Sequence, residues 1–175
     1  MDKLLREILW QQLGASIDML INVIANCPEH YLETNKRFYY TAYHSAIFLD
    51  YYLTIPPEDF SPSLPFTSKD PAERPEEAID DLIPDKIYSK QELIDYLNAS
   101  RIKSERLIAS LTSETILNLR FTEGNETDAM DYPIVEILLY NLRHTQHHVG
   151  QLNLMIRQDL KRHMEWSFRA GDLNQ

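Results

Sequence analysis

Residues 133–158 read Pro133-Ile-Val-Glu-Ile-Leu-Leu-Tyr140-Asn-Leu-Arg-His144-Thr-Gln-His147-His148-Val-Gly-Gln151-Leu-Asn-Leu-Met-Ile-Arg-Gln158. This is the pattern of one long, mostly apolar helix opened by a proline, with three of the chain's six histidines inside five residues. Residues four apart on a helix lie about 40° apart around its axis, so His144 and His148 project side by side. That is the geometry with which two imidazoles reach one metal ion. His147 points about 100° away from His148 and is the less natural second ligand. A histidine on an apolar helix is ordinarily a core residue with satisfied ring nitrogens, but a pair costs two desolvated imidazoles unless something binds them.

A third histidine answers that need. Residues 36–53, Lys36-Arg-Phe-Tyr-Tyr40-Thr-Ala-Tyr-His44-Ser-Ala-Ile-Phe-Leu-Asp50-Tyr51-Tyr-Leu, form a second helix that is apolar almost all round, with His44 at its centre. Tyr40, Phe48 and Tyr51 share the His44 face. Asp50 is a candidate for a carboxylate that orients an imidazole from behind. His30 and His163 lie in polar surroundings and are weaker third ligands.

Working outward, Leu5, Leu9, Leu13, Ile17, Leu20 and Ile24 make an amphipathic first helix over 3–26, ended by Asn26-Cys27-Pro28. Ser89-Lys-Gln-Glu92 is a capping box opening a third helix over 89–112, with Leu93, Leu97, Ile102, Leu107 and Leu111 inward. Between the second and third helices, residues 54–88 hold seven of the nine prolines and no helical period. A loop this long is either an ordered crossover or a flexible excursion, and such loops often cover a site. Residues 113–131, centred on Gly124-Asn125, form a polar connector with room for a short helix or a strand-like turn. The tail, 159–175, is charged but carries Trp166 and Phe168, so part of it is expected to pack back on the fold or against a partner. With no strand pattern, the expected fold is all-α: one domain, 1–175, built as a four-helix bundle with a long connection between helices 2 and 3.

Composition narrows function by exclusion. Seventeen Lys and Arg against 27 Asp and Glu give a net charge of −10. That argues against a nucleic-acid partner and an anionic membrane surface. One cysteine, Cys27, allows no internal disulfide and suits a reducing compartment. The first residues lack a signal-peptide pattern, and no run of about 18 purely apolar residues is present, so the expected location is cytoplasmic. The Asn98 and Asn125 glycosylation sequons then carry no meaning.

His44, His144 and His148 together would form a three-histidine site in the helix core, the open arrangement of catalytic zinc, also suited to nickel or iron. Thr145 stands where a zinc protease needs its Glu, and no Glu-x-x-His pair of a di-iron bundle occurs. Gln151, Tyr40 and Tyr51 are candidates to orient a substrate.

The run His144-Thr-Gln-His-His148-Val-Gly-Gln151, with a lone histidine in the second helix about 100 residues earlier, resembles the DinB-like family of metalloproteins. Its motif is His-x-x-x-His-Arg-Gly-Gln near the end of the fourth helix; this sequence departs from it at Val149. The resemblance implies a metal triad of His44, His144 and His148, zinc or nickel as the ion, and a homodimer. It also implies a thiol-dependent S-transferase or a related reaction with a low-molecular-weight thiol. A non-catalytic stress or interaction module with a structural or vestigial metal site is the alternative.

Overall fold

A computed structural model describes residues 2–124 and 129–174. The chain is mostly helical, and its element order is α1 (Asp2–Ala25), α2 (Glu29–Thr34), α3 (Lys36–Tyr51), β1 (Phe66–Ser68), β2 (Leu82–Pro84), α4 (Lys90–Ser110), α5 (Ser113–Asn118), β3 (Arg120–Thr122), β4 (Asp131–Pro133) and α6 (Ile134–Leu160). The four long helices are those expected from periodicity. α1 packs on α4 and α6, and α3 packs on the same two helices.

Point contacts fix the directions. Arg6, Asp18 and Ala25 of α1 meet Leu111, Arg101 and Lys90, so α1 and α4 run opposite ways. Leu49 carbonyl accepts from Asn141, while His44 meets His144, so α3 and α6 are antiparallel. Tyr43 stacks on Tyr88 and Asp50 pairs with Lys103, so α3 and α4 are parallel.

Three features depart from expectation. The stretch after Pro28, whose polar composition suggests a lead-in to the next helix, is itself the short helix α2, with Tyr31 and Leu32 buried. Strands are present, as two antiparallel hairpins, β1 with β2 and β3 with β4. Each strand is three residues long, too short for an alternating pattern to register in the sequence. In α4, Ile102 is 47% exposed. The inward line is instead Leu93, Leu97, Ser100, Ser104, Ile108 and Leu111, which keeps strict three- and four-residue steps with two serines at its centre.

α1 is also long and apolar enough, by length and composition, to cross a membrane. In the fold its Leu13, Ile17, Leu20, Val23 and Ile24 are almost fully buried. The connector 113–131 contains both a short helix, α5, and the β3–β4 hairpin; Asn125 lies outside the described residues.

The expected capping box opens α4: Ser89 Oγ accepts from Glu92 N–H, and Glu92 accepts from Ser89 N–H at 2.7 Å. Lys86 and these Ser89 contacts hold the Glu92 carboxyl down at about 2, from an ordinary 4.5. A depressed carboxyl stabilises the fold above its ordinary pKa and loses that contribution as pH falls through its folded value. The melting temperature of the native chain should therefore exceed that of Glu92→Gln at pH 6, and the gap should close as the pH is lowered toward 2.

The crossover 52–89 is ordered, and tyrosines hold it down. Tyr43 donates to the Leu64 carbonyl at 2.7 Å, Tyr88 donates to the Pro65 carbonyl at 2.7 Å, and Tyr39 hydroxyl accepts from Tyr88 N–H at 2.8 Å. These rings stack in sequence, Tyr39 on Tyr43 on Tyr88. The aromatic surplus of α3 thus has a structural use: it pins an otherwise unperiodic loop.

The tail does return to the fold, through Met164 and Leu173 packed against the core and through small residues. Ala170 N–H donates to the Gln11 carbonyl and Gly171 N–H to Asp18. A Cβ at Gly14 would come within 2.6 Å of Ala170 Cβ, so that close approach needs a glycine. Trp166 and Phe168 instead point outward, 60% and 76% exposed.

Candidate metal centre

α3 and α6 carry three imidazoles to one point. His44 Nε2 lies 3.1 Å from His144 Nε2, and His148 Nε2 lies 3.2 Å from the same atom. One ligand atom from each of the three lies within 4.8 Å of the others. The i, i+4 spacing on α6 and the mid-helix place of His44 produce this convergence, as the sequence leads one to expect. His147 is exposed and outside the cluster, and so is His30.

The far side of two rings is fixed. His44 Nδ1 sits 2.5 Å from Asp80 Oδ2, and Asp80 Oδ1 accepts from Leu82 N–H. A carboxylate oxygen accepts, so Nδ1 carries the His44 proton and its Nε2 lone pair faces the cluster. His148 Nδ1 donates to Gln151 Oε1 at 2.7 Å, which leaves the His148 Nε2 lone pair pointing inward too. His144 Nδ1 is buried without a hydrogen-bond partner.

Burial, then the neighbouring His148 and His44, hold the His144 ring down at about 3. Burial and His44 hold His148 at about 4, against a smaller opposing effect of Gln151. Both rings are therefore neutral near pH 7. Neutral imidazoles with converging lone pairs repel one another, and one shared proton on His144 Nε2 reaches at most two of them. A cation satisfies all three. With metal–nitrogen bonds of about 2.0–2.1 Å, the edge of a tetrahedron is about 3.3 Å, close to the two spacings here. The donor set fits a single metal ion.

The walls are unequal. Phe48, Tyr52 and Tyr140 pack on the imidazoles with ring centroids 4.6–6.2 Å away, and Tyr140 stacks nearly flat on His144. A cavity of about 860 Å³, which none of the three histidines lines, includes Thr41, Ala78, Ile79 and Gln151 in its lining. Those residues are one turn before His44, next to Asp80, and bonded to His148.

Several expectations need correction. Asp50 does not orient an imidazole: it accepts from Tyr96 and pairs with Lys103 on the α4 side. The orienting carboxylate is Asp80, from the crossover. Its only trace in the sequence is Ile79-Asp80-Asp81-Leu82, acidic residues between apolar anchors in a proline-rich stretch. Tyr51, a candidate to orient a substrate, donates to Glu123 Oε1. Gln151 is bonded to His148 and acts as a positioning group, though it still lines the cavity. Tyr40 is half-buried against Tyr39, with Glu77 near enough to add to the upward pull of burial on its hydroxyl pKa.

Gly150, inside α6, makes no close approach, because a Cβ there would meet nothing within 4 Å. Gly150→Ala should raise stability by about 0.5–1 kcal/mol in denaturant titration, with metal content unchanged.

No family model, no curated protein and no solved structure matches this chain.

Proposed function

We propose that the chain is a metal-dependent enzyme of the DinB-like kind, a four-helix bundle working as a cytoplasmic homodimer. In this reading His44, His144 and His148 hold zinc or nickel, and the reaction is transfer of a low-molecular-weight thiol to a small electrophile. The observation that carries it is the convergence of three imidazole nitrogens, with the His44 ring fixed from behind by Asp80 and the His148 ring by Gln151. An ion so held supplies Lewis acidity that lowers the pKa of a water or thiol beside it.

The chain's own residues do the rest. Asp80 and Gln151 select the tautomers and lock the ring angles, so two ligands need no rearrangement to bind. Phe48, Tyr52 and Tyr140 close one side against water. The cavity beside Gln151 gives a small molecule room to approach. Among the described residues no fourth ligand joins the cluster, which favours catalysis over a closed structural site.

One observation favours the second reading, an interaction module with a structural metal. Tyr51 and Gln151, two of the three residues expected to meet substrate, are already bonded within the protein. A turnover assay separates the two. Zinc- or nickel-loaded protein is given a panel of small thiols and an alkylating electrophile, and loss of thiol is followed. Acceleration that disappears in His148→Ala supports the enzyme; full metal occupancy with no acceleration for any thiol leaves the module.

A further inference from the structure

The cavity beside the histidines has a charge arrangement that the metal reading does not explain. Arg37, in the first turn of α3, faces it from one element, and Glu76 and Glu77, in the crossover, face it from another. Among the described residues none of these three forms an ion pair, although opposite charges line the same concavity. Its apolar surface comes from Ile79 and from Leu154 and Met155 of α6. A concave wall with apolar patches strengthens the field of the charges that rim it. Arg37 offers a fork of N–H donors that fits a carboxylate with two parallel hydrogen bonds. The two glutamates offer only acceptors, which suits an ammonium.

We infer that this cavity binds a small molecule with the ends of an amino acid or short peptide, its carboxylate on Arg37 and its ammonium on Glu76 and Glu77. Its apolar body lies on Ile79, Leu154 and Met155. A volume of about 860 Å³ has space for more than a single residue, which points to a short peptide over a free amino acid. The inference deepens the enzyme reading, since Gln151 and the segment before Asp80 join this cavity to the metal centre. It names the charge pattern of the substrate, which the triad by itself leaves open.

Calorimetric titration of the full chain, loaded with one equivalent of zinc, tests it. The probes are the dipeptide alanyl-leucine, its N-acetyl form, its C-terminal amide, and free leucine. The expected result is binding of the dipeptide, with each cap weakening it about tenfold or more. Arg37→Ala should weaken the free dipeptide about tenfold and leave the amide unchanged. Glu76→Gln with Glu77→Gln should weaken the free dipeptide and leave the N-acetyl form unchanged. All three side chains are exposed, so these variants should fold as the parent does. Leucine binding as tightly as the dipeptide would move the assignment from peptides to free amino acids within the same chemistry. Equal binding of capped and uncapped forms, no effect of Arg37→Ala, or no binding at millimolar probe overturns the inference. Zinc measured on the same samples separates the two readings. Full zinc with no peptide binding ends this inference alone, and peptide binding by a chain that retains no zinc ends the metal reading alone.

Discussion

Protein purified without an affinity tag or chelator should carry about one equivalent of zinc or nickel, and His44→Ala, His144→Ala and His148→Ala should each carry almost none. Each substitution removes one of three converging lone pairs, so the loss should exceed the about 10–100-fold that follows from removing a partner behind a ligand. Asp80→Ala supplies that comparison. It leaves all three imidazoles in place but frees His44 to rotate and change tautomer, so metal affinity should fall by about 10–100-fold. Elemental analysis and competition with a chelator measure both effects. Wild type without metal, whose melting is unmoved by added zinc or nickel, would leave three packed histidines and end the enzyme reading. Equal metal affinity in Asp80→Ala would show that the crossover contributes nothing to the site.

The largest expected loss of stability lies far from the histidines. Asp18 of α1 is 4% exposed, and it accepts from Arg101 Nε at 2.6 Å and from Gly171 N–H at 2.7 Å. It thus joins α1, α4 and the tail at one carboxylate. Arg101 in turn lies over the Trp10 ring. Asp18→Ala leaves a guanidinium and a backbone donor without their acceptor, a change that costs about 3–5 kcal/mol for a buried pair. Arg101 keeps one-fifth of its side chain in solvent, which places the expected cost near about 3 kcal/mol. For a chain of this size that is a fall of about 6–12 °C in melting temperature. Metal content should not change, since the triad belongs to α3 and α6. A variant that melts within a degree of wild type would mean the carboxylate is solvated well enough to be dispensable.

The four long helices were legible because each repeats its apolar positions over several turns, and only a helix with one buried face keeps such a stripe for that length. His144 and His148 were legible for the same reason: four-residue spacing on a helix is a statement about space. His44 needed only the expectation that two helices face each other. Asp80 was illegible because it lies in a segment with no period, and nothing in local sequence says where such a segment crosses the fold. Asp50 misled because it sits on the right helix; its own helix turns it toward Tyr96 and Lys103 instead. Trp166 and Phe168 signalled that part of the tail packs back, but the contacts are made by Met164, by Leu173 and by small residues that let backbone reach backbone. Short strands escaped because three residues cannot display an alternation.

The parallel course of α3 and α4 has a consequence for the chain between them. To re-enter at the same end, the polypeptide must travel back the length of α3, about 24 Å for 16 residues. Fully extended, about eight residues cover that distance. The connection from Tyr51 to Lys90 is several times longer, so connectivity alone does not account for its length. The surplus is where β1, β2 and Asp80 reside. A chain spliced across the hairpin could still close its topology while losing the carboxylate behind His44, so the hairpin serves the site, whereas Leu64 and Tyr88 at its base serve the core.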